Sequence, residues 1–498
     1  MLRARDEAQG GEAASVLGLT PRAWLFENGR VLTLDPRCPT AAALAVRGGR
    51  VLAVGSLGAV RERAGRAAER IDCRGAAVLP GIVDPHLHLF ALAARDAHLD
   101  CAAFDDVRAL LAAVAARARA LAPGQWVRGD GLDEARLGRL PTAAELDAAA
   151  PHNPVRLRHR SRHASVLSGA ALARLGIAAE TGLVAEREEA IGRLVGPLPP
   201  DVLARGLAAA ARALARLGVT TVADATPRRR AALAPLRAAI DKGEFPLRVF
   251  AMRPPGVRAW RPEPRLAPGP VKLMVHEEGS GLRPTPAVLA RRIAAAARAG
   301  DAVAVHCVGA ATLVAALAGF AALPASRRVG CVHRLEHVAE CPPPLVAAIA
   351  RLGLTVVTNP AFVRLRGDVY AQETTGAARA WLYRGRSLAA AGIPLAAASD
   401  APVVPPDPWV GLAAARSRRT AAGRVLGVAE RLAAPAALAL FTRGAADALA
   451  APALGRLVPG AAADVIVVEP DPLRASPEET VQTRVRLTMI GGAVVWAA

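Results

Sequence analysis

The chain has 498 residues, 53% of them hydrophobic but only 3% aromatic, so its core must be built mainly from Ala, Leu and Val. At ~150 residues per domain the length would suggest about three domains, although α/β barrels of ~250 residues fold as one. The net charge of +20 is almost all arginine, spread along helical stretches with no basic tail and no interleaving of basic and aromatic residues, which argues against nucleic acid as a partner.

Residues 1–20 read as an N-terminal tail, charged and small, without the continuous apolar core of a signal peptide. Residues 21–79 read as short strands (Trp24–Glu27, Arg30–Leu34, Ala42–Val46, Arg50–Val54, Arg70–Cys73) parted by turn dipeptides such as Asn28-Gly29 and Gly48-Gly49. The pattern then changes to strand–helix alternation. Eight strands are predicted: Ala77–Val83, Val219–Ala223, Leu247–Met252, Val271–Val275, Ala302–His306, Val332–His337, Leu354–Thr358 and Pro394–Ser399. Helical segments such as Pro286–Arg298 and Pro343–Leu352 separate most of them, which predicts an α/β fold, a (β/α)8 TIM barrel over residues 80–452. The stretch from about 95 to 200 is too long for one crossover. It holds a helix (Phe104–Leu121), two strands (Trp126–Gly129 and Val155–His159) and a helix near Ser168–Leu175, and reads as a lid-like insertion after barrel strand one. Residues 453–498 return to short strands (Ala463–Glu469, Arg484–Ile490, Ala493–Trp496), which with 21–79 would make one small β-sandwich from both termini. The longest uncharged run, about 302–326, contains His306 and Pro324 and reads as a strand and a buried helix rather than a membrane span. Six cysteines form no Cys-x-x-Cys pair and no regular framework, as expected of reduced thiols. The expectation is a cytoplasmic protein with no membrane partner.

The chemistry starts at Leu79-Pro80-Gly81-Ile82-Val83-Asp84-Pro85-His86-Leu87-His88. Side chains two apart on a strand face the same way, so His86 and His88 can hold one divalent metal between them. Two histidines can equally just cap a strand. Their weight comes from later strands that carry matching groups at or near their ends: Lys272, His306, His337 and Asp400. In a barrel of this kind the loops at those ends converge on one pocket. Lys272 is one of two lysines in the chain and stands in the apolar strand Pro270-Val271-Lys272-Leu273-Met274-Val275. A buried lysine can lose its proton, which an arginine does not, and the neutral amine can take up carbon dioxide as a carbamate that bridges two metal ions. The structural alternative is a packed stem with a snorkelling head.

With these residues the chain resembles the amidohydrolase superfamily, in particular its N-substituted-formamide-deformylase-like branch. The resemblance rests on the segment from Leu79 to His88, on Val305-His306-Cys307-Val308-Gly309, on Arg334-Leu335-Glu336-His337 and on Ala398-Ser399-Asp400-Ala401-Pro402-Val403. Gly218–Asp224 and Gly455–Val465 support it. It implies that His86, His88 and Asp400 bind a buried metal, that carboxylated Lys272 bridges to a second held by His306 and His337, and that Asp400 acts as general base and acid. Zinc suits such ligands. His163, in Arg160-Ser161-Arg162-His163, matches a histidine that faces substrate in that branch. Where the branch carries an Asp-Gly after its lysine, this chain reads His276-Glu277-Glu278-Gly279-Ser280-Gly281. A one-metal site of His86, His88, His306 and Asp400, with His337 free to hydrogen-bond, therefore stays open. Arg364, Arg366 and Asp368 follow strand seven as candidate substrate contacts, while His98, His152, His159 and His333 are read as surface or core.

The expected function is hydrolysis of a carbon–nitrogen bond other than a peptide bond in a small-molecule substrate, an N-acyl or N-formyl amine in the first place. The alternatives are a one-metal deaminase of a ring amine and a non-catalytic relative. Barrels of this type are often homo-oligomers, but the sequence fixes no symmetry.

Overall fold

The computed structural model describes residues 23–160, 164–185 and 187–498; the predicted N-terminal tail and His163 lie outside the described residues. The chain divides into two compact units, one made of the described residues up to Leu89 together with Ala211–Ala498, the other of Phe90–Ala210.

The first unit contains an eight-stranded parallel sheet: β1 (Ile82–Leu87), β2 (Val219–Asp224), β3 (Arg248–Arg253), β4 (Leu266–Met274), β5 (Val303–Cys307), β6 (Arg334–His337), β7 (Thr355–Thr358) and β8 (Leu395–Ala397). Each strand pairs with the next in sequence, β1 and β8 being the two edges. The edges are joined by backbone hydrogen bonds from Asp400 N to His86 O (2.9 Å) and from His88 N to Ala401 O (2.7 Å), so the sheet is the predicted (β/α)8 barrel. Strands covered on both faces cannot alternate apolar with polar, and β1 and β2 are buried at every position. The intervening helices show the complementary pattern. Pro286–Arg298 turns Leu289, Ile293 and Ala297 inward at four-residue spacing and leaves its arginines outward.

One predicted strand proves to be two. Ala77–Pro80 pairs antiparallel with Val465–Val468 in a different sheet, and β1 begins only at Ile82. Gly81 is the joint. Its N–H goes to Asp464 O and that of Ile82 to Gly218 O, while a Cβ on residue 81 would fall 2.2 Å from Thr220 Oγ1. Apolar periodicity runs straight through this crossing because both sheets bury the segment.

Ala77–Pro80 belongs to a six-stranded sheet that also takes Arg30–Leu32 and Thr40–Ala41 from the N-terminal part and Val465–Glu469, Arg484–Ile490 and Ala493–Ala497 from the C-terminal part. A four-stranded sheet of Ala23–Glu27, Ala43–Arg47, Arg50–Gly55 and Glu69–Asp72 shares one core with it, including Phe26, Val46, Val78, Val465 and Met489. The second unit has its own five-stranded sheet, with Val127–Leu132 and Val155–His159 at its centre, and its own core, where Leu110 and Val114 of the helix Val107–Arg119 meet Val127, Leu157 and Val166.

Candidate active site

β1 delivers His86 and, one residue beyond its end, His88. His86 is almost fully buried, and its Nδ1 contacts Glu336 Oε2 on β6. Glu336 Oε1 lies 2.6 Å from Nε of Arg334 on the same strand, and Arg334 also donates to Pro85 O (2.9 Å) and Ala448 O (3.2 Å). A carboxylate only accepts, so the proton of a neutral His86 sits on Nδ1 and the lone pair on Nε2. Burial holds His86 well below the usual imidazole range, keeping it neutral.

The same arrangement recurs at His337, the last residue of β6. Asn359, just past β7, donates its amide to Ala398 O (3.0 Å), which turns its Oδ1 to His337 Nδ1 at 2.8 Å. His337 Nδ1 is therefore the donor, and Nε2 again keeps the lone pair. Burial also lowers the pKa of His337. His88 Nδ1 lies 2.8 Å from Thr226 Oγ1, in a loop after β2 that Asp224 Oδ1 holds through Thr226 N (3.2 Å).

Asp400 follows β8 on a stitched segment. Ser399 Oγ donates to Asp84 Oδ2 (2.5 Å), and Ser399 N and His86 N both donate to Asp84 Oδ1 (3.2 Å each). Asp84 thus ties the two edges of the barrel together beneath the site; burial pushes its carboxyl up to about 6. Asp400 and His337 both have backbone in the left-handed region (φ 60° and 71°), as does the β-branched Val338 (φ 48°). Such conformations are uncommon outside glycine and gather at functional sites. Here they fall at the strand ends that carry His337 and Asp400, and the backbone bond from Asp400 N to His86 O holds the second of these turns.

These anchors bring most of the predicted residues together. The ligand atoms of His86, His88 and Asp400 lie within 4.8 Å of one another. Asp400 Oδ1 is 3.3 Å from His88 Nε2 and 3.6 Å from His86 Nε2. Ring centroids are 4.7 Å apart for His86 and His337 and 4.6 Å for His337 and His306, the penultimate residue of β5. Burial, with His337 and Lys272 adding to it, brings His306 down to about 2. Lys272 on β4 is 3% exposed, and its ordinary pKa falls to about 8, chiefly through burial, against the pull of Glu336.

A divalent cation fits these residues. His86 Nε2 carries a lone pair, and the nearby Asp400 oxygen carries negative charge, so no proton is available to join the two. Asp400 Oδ1 and Lys272 Nζ are buried without a hydrogen-bond partner among the described residues, and a buried polar atom left in that state is costly. Imidazole nitrogens and a carboxylate are the donor set of zinc and its neighbours.

Other expectations come out differently. Asp368 does not offer itself to a substrate: its carboxylate accepts from Thr420 Oγ1 (2.6 Å) and Ala422 N (3.0 Å). His276 is exposed on a hairpin of His276–Glu278 and Gly281–Arg283, where the sequence departs from the formamide-deformylase-like pattern. His333 is structural, accepting from Val303 N (3.2 Å) and donating to Arg327 O (3.0 Å). Sequence reasoning missed Glu336, Asp84 and Asn359. The first two gave the signal that singled out Lys272, a charge inside a strand buried on both faces.

Comparison with known proteins agrees with this geometry. The pattern of the Amidohydrolase family (Amidohydro_3) matches residues 69–496. An N-substituted formamide deformylase of Arthrobacter pascens is 39% identical over 161 residues, a match that spans 31% of this chain and 29% of that protein. A Bacillus subtilis protein named as an amidohydrolase, YtcJ, is 25% identical over 95% of this chain and 99% of its own length. The crystal structure of an uncharacterized metal-dependent hydrolase from Pyrococcus horikoshii OT3 superimposes with a TM-score of 0.79 at 25% identity, covering 92% of this chain and 99% of that one.

Proposed function

The chain belongs to the amidohydrolase family and is a metal-dependent hydrolase, and we propose that it cleaves a carbon–nitrogen bond other than a peptide bond, in an N-acyl or N-formyl amine. His86, His88 and Asp400 would hold one ion, zinc by donor type. Lys272, as its carbamate, would bridge to a second ion at His306 and His337. A divalent ion bound there supplies Lewis acidity toward a carbonyl and lowers the pKa of bound water toward ~7.

The protein's own groups do the rest. Glu336 and Asn359 fix the tautomers of His86 and His337, so both rings present an unprotonated nitrogen to the site. Asp400 would accept a proton from the attacking water and return it to the departing amine. Its left-handed backbone follows the Ser399–Asp84 clamp. The observation that carries the reading is the meeting of the His86 and His88 Nε2 atoms with one oxygen of Asp400. The partial match to the formamide deformylase supports the substrate class.

Metal analysis of the purified protein tests it. One to two zinc-like ions per chain are expected, falling sharply in His86→Ala and His88→Ala, together with hydrolysis of members of an N-acyl amine panel. Full metal content in both variants would overturn the site. Recovery of Lys272→Ala activity with added short carboxylic acids would support two ions; failure to recover, with metal content retained, would favour one.

A further inference from the structure

The chain contains two tyrosines, and the fold brings them together. Tyr370 and Tyr383 both lie between β7 and β8, with their hydroxyl oxygens 3.2 Å apart and ring centroids 5.9 Å apart. Tyr383 continues into Phe362 at 5.8 Å, so three rings stand in a row in a molecule poor in aromatics.

The row is fastened to the catalytic end of the barrel. Tyr383 N donates to Ala339 O at 2.8 Å, two residues beyond His337. Phe362 follows by three residues the Asn359 that holds His337. Val403 and Val404, just after Asp400, complete the cluster around the rings. Arg418, itself buried, donates to Leu382 O (2.7 Å), Tyr383 O (2.8 Å) and Leu426 O (2.8 Å), locking the backbone that carries Tyr383.

Counting protons assigns the direction of the hydroxyl pair. Two phenols carry two O–H protons and share one hydrogen bond, and neither oxygen has another partner among the described residues. Tyr383 is 6% exposed, so an unused proton there would be a buried unsatisfied donor. Tyr383 therefore donates to Tyr370, and half-buried Tyr370 keeps an O–H free. Burial raises the pKa of both phenols against the opposing pull of the Arg366 cation, so the free donor stays a neutral O–H.

We propose that Tyr370 is a specificity-determining residue and Tyr383 its positioning partner, together offering one neutral O–H donor within an aromatic wall to the group attached beside the scissile amide. The proposal rests on the amide-hydrolase reading above and sharpens its substrate class to N-acyl amines whose apolar substituent carries a neutral oxygen acceptor, such as an ether, ketone or hydroxyl. A site built around a donor discriminates against the analogue that leaves it unpaired, which is where specificity of this kind arises.

The test compares two substrates of equal size on the metal-loaded enzyme: the N-formyl derivatives of cyclohexylmethylamine and of (tetrahydropyran-4-yl)methylamine, which differ by CH2 against O. Wild type is expected to prefer the ether in kcat/KM by about fivefold or more, the worth of one net hydrogen bond. Tyr370→Phe should bring the ratio to about one, and Tyr383→Phe should lower it part of the way, both with wild-type metal content. A ratio in Tyr370→Phe equal to that of wild type would overturn the assignment of the donor. Preference for a carboxylate-bearing analogue over both would overturn the neutral-acceptor class. Cleavage of neither substrate, nor of any other N-acyl amine, by metal-loaded wild type would instead overturn the amide-hydrolase reading, and this inference with it.

Discussion

Histidine meets carboxylate in both units of this molecule, with opposite results. In the Phe90–Ala210 unit, His98 Nδ1 sits 2.5 Å from Asp130 Oδ2 and His159 Nε2 sits 2.7 Å from Glu134 Oε2. Each of these two histidines has its own acid, and Arg158 adds a cation to Asp130 at 2.6 Å. A proton between the partners joins such a pair, although His98 Nε2 stays buried without a partner among the described residues. In the barrel the Nδ1 atoms of His86, His88 and His337 are already engaged by Glu336, Thr226 and Asn359, and the Nε2 atoms of His86 and His88 face the single carboxylate Asp400. Residue types alone do not separate the two sets. At His86 and His337 the partner of the second ring nitrogen does, because Glu336 and Asn359 can only accept there and so leave the first nitrogen a lone pair.

Breaking the barrel set should have the largest effects. Asp400→Asn keeps the size of the side chain but removes the proton acceptor, and kcat should fall about 10²- to 10⁴-fold, measured on whichever panel amide wild type cleaves best. Glu336→Gln should come next. It leaves His86 in place but weakens the carboxylate contact that sets its tautomer, so metal affinity should drop about 10- to 100-fold by competition with a chelator. Glu336→Ala should add a stability loss of about 3–5 kcal/mol in denaturant melts, since Arg334 would remain buried without its partner. Asn359→Ala should weaken metal binding less, because His337 loses an orienting acceptor and no charge. The converse sharpens the contrast: His98→Ala should leave metal content as it was.

How much of this was legible beforehand follows from what each element does. The barrel strands were readable because burial on both faces writes continuous apolar runs, and β2 and β5 fall within a residue or two of where those runs put them. The same property hid the break at Gly81, since two different sheets bury the segment on either side of it. His86, His88, Lys272, His306, His337 and Asp400 stood out as chemically active groups at or near strand ends; the fold brings the ligand atoms of His86, His88 and Asp400 within 4.8 Å of one another and sets the His337 and His306 rings beside His86. Asn359 was invisible: an amide after a strand is ordinary, and its role depends on Ala398 lying across from it, 39 residues away. The tyrosine pair was invisible for the same reason, its two rings being 13 residues apart with no periodicity to link them. Contacts between loops are set by the closure of the barrel, which local sequence does not encode.

The smallest expected effect concerns the histidine–acid pairs of the Phe90–Ala210 unit. Burial acts to raise the Asp130 pKa, but the His98 hydrogen bond and Arg158 outweigh it and bring the carboxyl down to about 2. The folded-state value therefore lies below the ~3.9 of an unfolded chain, so the ion pairs stabilise this unit above about pH 4 and lose that contribution as the pH falls toward 2. Asp130 is 37% exposed, and solvent screening keeps the gain to about 1 kcal/mol or less. Thermal melts of wild type and Asp130→Asn should thus differ by a small constant amount from pH 5 to 7, and the two curves should converge below pH 4. A difference that persisted undiminished at pH 2 would mean that shape rather than charge holds His98 and Arg158 to residue 130, and the contrast between these pairs and the cation-seeking barrel set would lose its electrostatic basis.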